Sequence, residues 1–442
     1  MTSGAIIALF FVVLLVLMLS GMPIAYSLGI ASAGYMLMSG TSLAMMAQRM
    51  VNGANSFTML AIPFFFMAGE LMNISGVTDK IINMAKALVG HFKGGLAQVN
   101  IVASVFFAGV SGSATADTAA LGSTLIPKMV EEGYDLDFAA AITVASSCVG
   151  PIIPPSITLV PYGILAGEDV GKLLIAGIVP GIIIALFQMV YTHFYAVKMD
   201  YPSYPKATPR EMGKAVTSGF SALMMPIIII GGTLSGVFTP TESAAVAVLY
   251  GIIIGFFIYR NLKVSQFYES LKRVGVQSMN NMFILAAAAC FSWVLTITKA
   301  ADVLVNLMLG ISTNKYVVML MILALLMFIG FFMQASQALV VLTPMLLPVV
   351  KAVGIDPIHF GIVMVVALTF GGCTPPVGSM LFVVNSITKM GFARLTKAMV
   401  PLYIPLLGAL LVIAFVPQLS MFLPGYKKLR CKHKHKPPRQ IS

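Results

Sequence analysis

The sequence predicts an all-α polytopic membrane protein made of two inverted repeats, each with five spans and one re-entrant helical hairpin. Three observations predict it. Of 442 residues, 59% are hydrophobic and only 10% are charged, against about 25% charged in soluble proteins, and the mean hydropathy is +0.96. Inside one apolar stretch, roughly 94–130, lies the run Gly109-Val-Ser-Gly-Ser-Ala-Thr-Ala-Asp-Thr-Ala-Ala-Leu-Gly122. A lipid-facing helix does not carry Ser111, Ser113, Thr115, Asp117 and Thr118 at depth, because an intramembrane Asp alone costs about 2.5–3.5 kcal/mol on insertion scales. Finally, sliding the second half on the first by 221 residues aligns Pro127 with Pro348, Gly133 with Gly354, Asp135 with Asp356, Gly150 with Gly371, and Pro154-Pro155 with Pro375-Pro376. These are turn and breaker residues, and one constant offset marks an internal repeat.

In order, apolar runs predict spans near 5–21, 22–39, 57–75, 136–161, 173–196, 217–236, 240–259, 276–297, 357–386 and 398–423. The first has no basic region before it and reads as a span rather than a cleavable signal. The stretches 94–130 and 316–351 are apolar but broken in the middle, and read as hairpins. Irregular backbone survives at membrane depth only where protein or a watery cavity covers it. Two amphipathic stretches precede them, 78–88 and 299–309; each reads equally as an interfacial helix or as the wet end of a span. The loop Tyr201–Arg210 joins a first repeat, 1–214, to a second, 215–425, and a basic tail fills 426–442. Five spans per half is an odd number, so the halves are inverted. Inverted repeats with discontinuous helices are a signature of secondary transporters.

The net charge of +12 is a topology signal, not a nucleic-acid one, since Lys and Arg sit in loops and tail. Lys80, Lys86, Lys93, Lys128, Lys198, Lys272, Arg273 and Arg394 share one face, which is expected to be cytoplasmic; Arg49, Lys172, Lys299, Lys315 and Lys351 fall on the other. Ten spans put the basic tail on the opposite side, against that rule. Cys148, Cys290, Cys373 and Cys431 show no CxxC spacing and read as inert thiols. No phosphate-binding Gly-Lys-Ser/Thr loop is present, which excludes ATP hydrolysis by this chain. The five histidines, His91, His193, His359, His433 and His435, converge with no Ser or Asp motif, which argues against an enzyme.

The first tip offers hydroxyls and free backbone groups. Carbonyls and hydroxyls suit a hard cation such as Na+; amides and a positive helix end suit an anion. Asp117 is open to several roles: cation ligand, proton carrier, partner of the neighbouring turn, or helix N-cap. Facing the tip, the break Gly150-Pro-Ile-Ile-Pro-Pro-Ser156 removes amide donors and frees carbonyls upstream, with Thr143, Ser146 and Ser147 on the approach. Its counterpart is Gly371-Gly-Cys-Thr-Pro-Pro-Val-Gly378. The second tip supplies Gln334, Ser336 and Gln337. Glu242 in Thr239-Pro-Thr-Glu reads as a capping residue or an intramembrane acid, and Glu70 is similar.

The motifs Phe107-Ala-Gly-Val-Ser-Gly-Ser-Ala-Thr-Ala-Asp-Thr118, Gly150–Ser156, Phe238-Thr-Pro-Thr-Glu242, Gly354-Ile-Asp-Pro-Ile-His-Phe-Gly361 and Thr374-Pro-Pro-Val-Gly378 resemble the large membrane subunit of TRAP (tripartite ATP-independent periplasmic) transporters. The resemblance covers about residues 1–425. It implies an elevator-type ion-transporter fold in the bacterial inner membrane and import of an organic acid, such as a C4-dicarboxylate or sialic acid, coupled to two or more Na+. It also implies two partners, a small four-span membrane subunit and a periplasmic substrate-binding protein. Carried onto this chain, the ion ligands would come from Ser111, Ser113, Thr115, Ser147, Gly150, Gln334, Gly371 and Thr374. The substrate would meet Ser113, Asp117, Pro154, Gln334, Ser336 and Pro375. One departure is Gln334, where the family usually has an acid: an amide offers an oxygen but no charge. Proton coupling through Asp117 and Glu242 is the alternative.

Overall fold

The computed structural model describes residues 3–434, and among them every regular element is helical. The side chains of the basic tail, with His433 and His435, lie outside the described residues, as does any test of its side of the membrane. Among the described residues, seven helices are long and apolar enough to cross a membrane, and eight if the bent pair Ala300–Ile311 and Lys315–Gly330, which turns by 120°, counts as one. The amphipathic stretch at 299–309 is the first limb of that bend. The stretch at 78–88 is the helix Val77–Val89, whose Ile81, Ile82, Met84 and Ala85 are buried.

Several predicted spans differ in extent. The one at 136–161 is split into Leu136–Ser147 and Leu159–Ala166, and the one at 357–386 into Pro357–Gly371 and Ser379–Thr388. The prolines and glycines between the halves explain both splits, since they cannot continue the helical ladder. The span at 276–297 is the end of a 35-residue helix, Val264–Thr298, whose polar first turns an apolar run cannot detect. The short helices Ala44–Ala54 and Phe392–Met399 have no apolar run and were not expected.

The stretch 94–130 is a hairpin, Gly95–Ser111 and Ala114–Glu131, broken at Gly112 and Ser113. Gly112 takes the left-handed conformation, φ 63. Its two ends lie on one side: the Leu96 amide donates to the Tyr134 hydroxyl at 3.2 Å, just past the second limb. The second hairpin is Lys315–Gly330 and Ala335–Ala352, and Lys315 and Gly354 line one pocket at its ends.

Glycine lets each tip reach a broken span. A Cβ on Gly112 would fall 1.9 Å from the Pro155 carbonyl oxygen. One on Gly371 would fall 2.5 Å from the Gly330 Cα. The Val377 amide also donates to the Phe331 carbonyl at 3.2 Å. The two broken spans meet where the Tyr162 hydroxyl donates to the Pro357 carbonyl at 2.5 Å. Pro154–Pro155 and Pro375–Pro376 are both cis.

Candidate functional site

Both tips end on one cavity of about 300 Å³. Ser113 and Thr115 line it from the first tip, and Gln334, Ser336 and Gln337 from the second. Thr369 and Gly372 close it beside the second break, and Gln277, Asn280 and Asn281 of the long helix Val264–Thr298 form the opposite wall. Residues at i, i+3 and i+4 share a helical face, so these three amides present one polar stripe. Spacing inside the predicted span 276–297 carried that signal, and sequence reasoning passed over it. The volume sits at the lower end of small-molecule sites, about 300–1,000 Å³, which suits a small polar ligand.

Behind the first tip lies a different environment. Asp117 is fully buried. The Ser111 hydroxyl donates to its Oδ1, while Oδ2 is buried without a partner. That free oxygen faces Gly150, on which a Cβ would fall 2.5 Å away. The N-cap of the second limb is Ser113, which accepts from the Ala116 amide at 3.5 Å, so capping is not the role of Asp117. An unpaired buried carboxylate oxygen is costly until a cation or proton meets it. The Ser111 hydroxyl and the carboxylate itself supply hard oxygen ligands, with the Ala114 amide and the Ser113 peptide carbon close to Gly150; oxygen ligands suit a hard cation rather than a soft metal.

The approach to this break is a closed polar network. The Asn100 side-chain amide donates to Thr143 Oγ1 at 2.7 Å, the Ser104 hydroxyl to Ser146 Oγ at 2.9 Å, and Ser146 to Asn100 Oδ1 at 3.2 Å. Ser147 donates to the Thr143 carbonyl at 2.8 Å. Fully satisfied networks of this kind fix geometry, and here they tie the first limb of the hairpin to the first broken span.

Residues 11–419 match the family described as tripartite ATP-independent periplasmic transporter, DctM component. The chain belongs to this family. The large permease SiaM of a Vibrio cholerae sialic acid TRAP transporter is 41% identical over 409 residues, covering 92% of this chain and 96% of SiaM. The isethionate TRAP permease DctMQ of Oleidesulfovibrio alaskensis is 40% identical over 407 residues, 92% of this chain and 64% of DctMQ. This DctM-family chain therefore spans under two thirds of that longer relative. Among solved structures, the Alcanivorax borkumensis YdaH transporter superimposes with a TM-score of 0.62 at 15% identity, covering 87% of this chain and 89% of that one; the likeness is one of fold. The family is one of transporter permeases, not enzymes.

Within this DctM-family chain the predicted site residues divide into three groups. Ser113, Thr115, Gln334 and Ser336 stand on the cavity wall. Ser111, Asp117 and Gly150 gather behind the first tip, while the Ser147 hydroxyl turns back to the Thr143 carbonyl of its own helix. Pro154 is buried with the break, and Pro375 is half-buried; both are off the cavity wall. Thr374 donates within its own turn, to the Phe370 carbonyl at 2.8 Å and the Gly371 carbonyl at 2.9 Å, and Gly371 packs on Gly330. Gln334 is exposed toward the cavity. Glu242 is exposed and closes a capping box with Thr239, whose amide donates to Glu242 Oε2 at 2.7 Å.

Proposed function

We propose that this permease imports an organic acid across the bacterial inner membrane, driven by sodium entering with it. A periplasmic binding protein delivers the cargo and a small four-span membrane subunit docks on the scaffold. The observation that carries the reading is the pairing of two adjoining environments. A 300 Å³ cavity walled by both tips and an amide stripe suits cargo, and a buried, unpaired Asp117 oxygen beside it suits a cation.

A cation at Asp117 and Gly150 would pin the first tip to the first broken span, and the tip's Ser113 and Thr115 in turn face the cargo. Binding of one thereby favours binding of the other, which is what coupling requires. The second tip and Gly371–Thr374 are proposed as a second ion position, with Gln334 giving an amide oxygen in place of charge. The 221-residue offset supports two inverted halves, 1–214 and 215–425. The hairpins and broken spans would move together against the scaffold. Glycine contacts that join each tip to a broken span support a rigid mover. Proton coupling through Asp117 and Glu242 is less well supported, because Glu242 is spent on a helix start.

Relatives transporting sialic acid and isethionate, by name, favour a small organic anion as cargo; the C4-dicarboxylates are a third candidate class. The test is uptake of labelled candidates into proteoliposomes holding the permease, its small subunit and its binding protein. An inward sodium gradient should drive accumulation, and sodium removal should abolish it. Uptake that persists without sodium and follows a proton gradient rejects the coupling.

A further inference from the structure

A second cavity, of about 270 Å³, adjoins the first and shares Phe66, Ser113, Thr115, Ile157 and Gln277 with it. Its remaining polar lining is Glu70, Asn73 and Ser111. At its edge Arg273 Nη2 pairs with Glu70 Oε1 at 2.7 Å. Ser270, which is buried, donates to Glu70 at 3.5 Å and accepts from Arg273 Nη2 at 3.4 Å. Along the helix Val264–Thr298, the residues Ser270, Arg273, Gln277 and Asn281 follow at steps of three or four and so share a face. The stripe that walls the first cavity therefore continues past Gln277 to a guanidinium eight residues before Asn281, about 12 Å along the axis. On the loop-charge orientation this is the cytoplasmic end.

We propose that this second cavity is a carboxylate-accepting release vestibule, in which Arg273 is shared between Glu70 and the carboxylate of the departing cargo. The inference rests on the organic-acid reading above. Three features carry it. Arg273 supplies the cationic group where the polar track ends. Its contacts run through Nη2, so a further edge of the planar fork is open to a bidentate partner. The pair is half in water, with side chains 64% and 24% exposed, and such pairs contribute little to stability, so structural support is a weak reason for it. Glu70 then acts as a resident anion: it holds the guanidinium at the mouth, yields to the cargo carboxylate, and displaces it toward water. Release of a tightly held anion is eased by such a competitor.

The experiment is exchange in proteoliposomes of the permease with its small subunit and binding protein, using labelled sialic acid and, separately, succinate. Binding protein added outside selects correctly oriented complexes. The concentration of unlabelled probe in the lumen is varied. Arg273→Gln should raise the lumenal half-saturation about tenfold or more, with the outer half-saturation for loaded binding protein and the sodium dependence unchanged. Arg273→Lys should fall between, and Glu70→Gln should lower the lumenal value while slowing turnover. A purely structural tie predicts instead that the double variant Glu70→Gln/Arg273→Gln regains wild-type behaviour, and that result would overturn the proposal. So would Arg273→Gln with an unchanged lumenal value. Wild type that exchanges neither these probes nor labelled isethionate under a sodium gradient defeats the organic-acid reading itself, whereas wild-type exchange matched by Arg273→Gln defeats only the role of Arg273.

Discussion

Gly150→Ala adds one carbon at the point where the first broken span meets the first tip. That Cβ would lie 2.5 Å from Asp117 Oδ2 and 3.1 Å from both the Ala114 amide nitrogen and the Ser113 carbonyl carbon. Restoring ordinary contact to the carboxylate needs a shift of about 1 Å. The carboxylate cannot supply it cheaply, because Ser111 holds its other oxygen. The tip cannot recoil either, because Gly112 is already against the Pro155 carbonyl. Overpacking of this kind costs about 1–3 kcal/mol. If it falls on the ion-bound geometry, it weakens sodium binding by about fivefold to 150-fold. The assay is initial uptake rate against sodium concentration in proteoliposomes. Gly231→Ala, where a Cβ meets nothing within 4 Å, is the matched control. A normally assembled Gly150→Ala permease with the control's sodium curve would refute the reasoning that this contact belongs to an ion site.

Three further outcomes follow from the same geometry. Asp117→Asn keeps the shape and removes the charge, so the sodium concentration for half-maximal uptake should rise at least about tenfold, given that a hydrogen bond or contact to a charged group contributes about 1.5–3 kcal/mol; an unchanged value would make Asp117 a structural residue. Gln277→Ala and Asn281→Ala strip the amide wall of the cavity and should raise the cargo KM severalfold while leaving the sodium response at saturating cargo alone; a shift in sodium response without one in KM would contradict the division of the two environments. Tyr162→Phe deletes the 2.5 Å bond to the Pro357 carbonyl, a loss of about 0.5–1.5 kcal/mol, read as a lower unfolding temperature of the purified permease with transport per folded molecule retained.

The parts of this molecule that were legible in the sequence are those where chemistry conflicts with the membrane. Gly109–Gly122 is too polar to be a lipid-facing helix, and a break stands at Gly112 and Ser113. The Pro-rich runs after Gly150 and Gly371 interrupt their spans as proline must. Glu242 behaves as the Thr-Pro-Thr-Glu spacing implies. What stayed hidden depends on pairing across the chain. Gln277, Asn280 and Asn281 look like mild polarity in an apolar run until the tips stand opposite them. Arg273 reads as a loop charge until Glu70, 203 residues earlier, is beside it. The helices Ala44–Ala54 and Phe392–Met399 are held by partners rather than by an apolar run of their own: Gly53 packs on Ala289, and Arg394 pairs with Asp137 at 2.7 Å.

The central claim is that a cation seated at Asp117 and Gly150 travels with the cargo. Entry of labelled sodium into proteoliposomes, timed alongside cargo entry in the complete complex, measures this directly. The account predicts that cargo delivered by the binding protein triggers sodium entry in fixed proportion, and that Asp117→Asn lowers that proportion. Cargo accumulating with no accompanying sodium would contradict it.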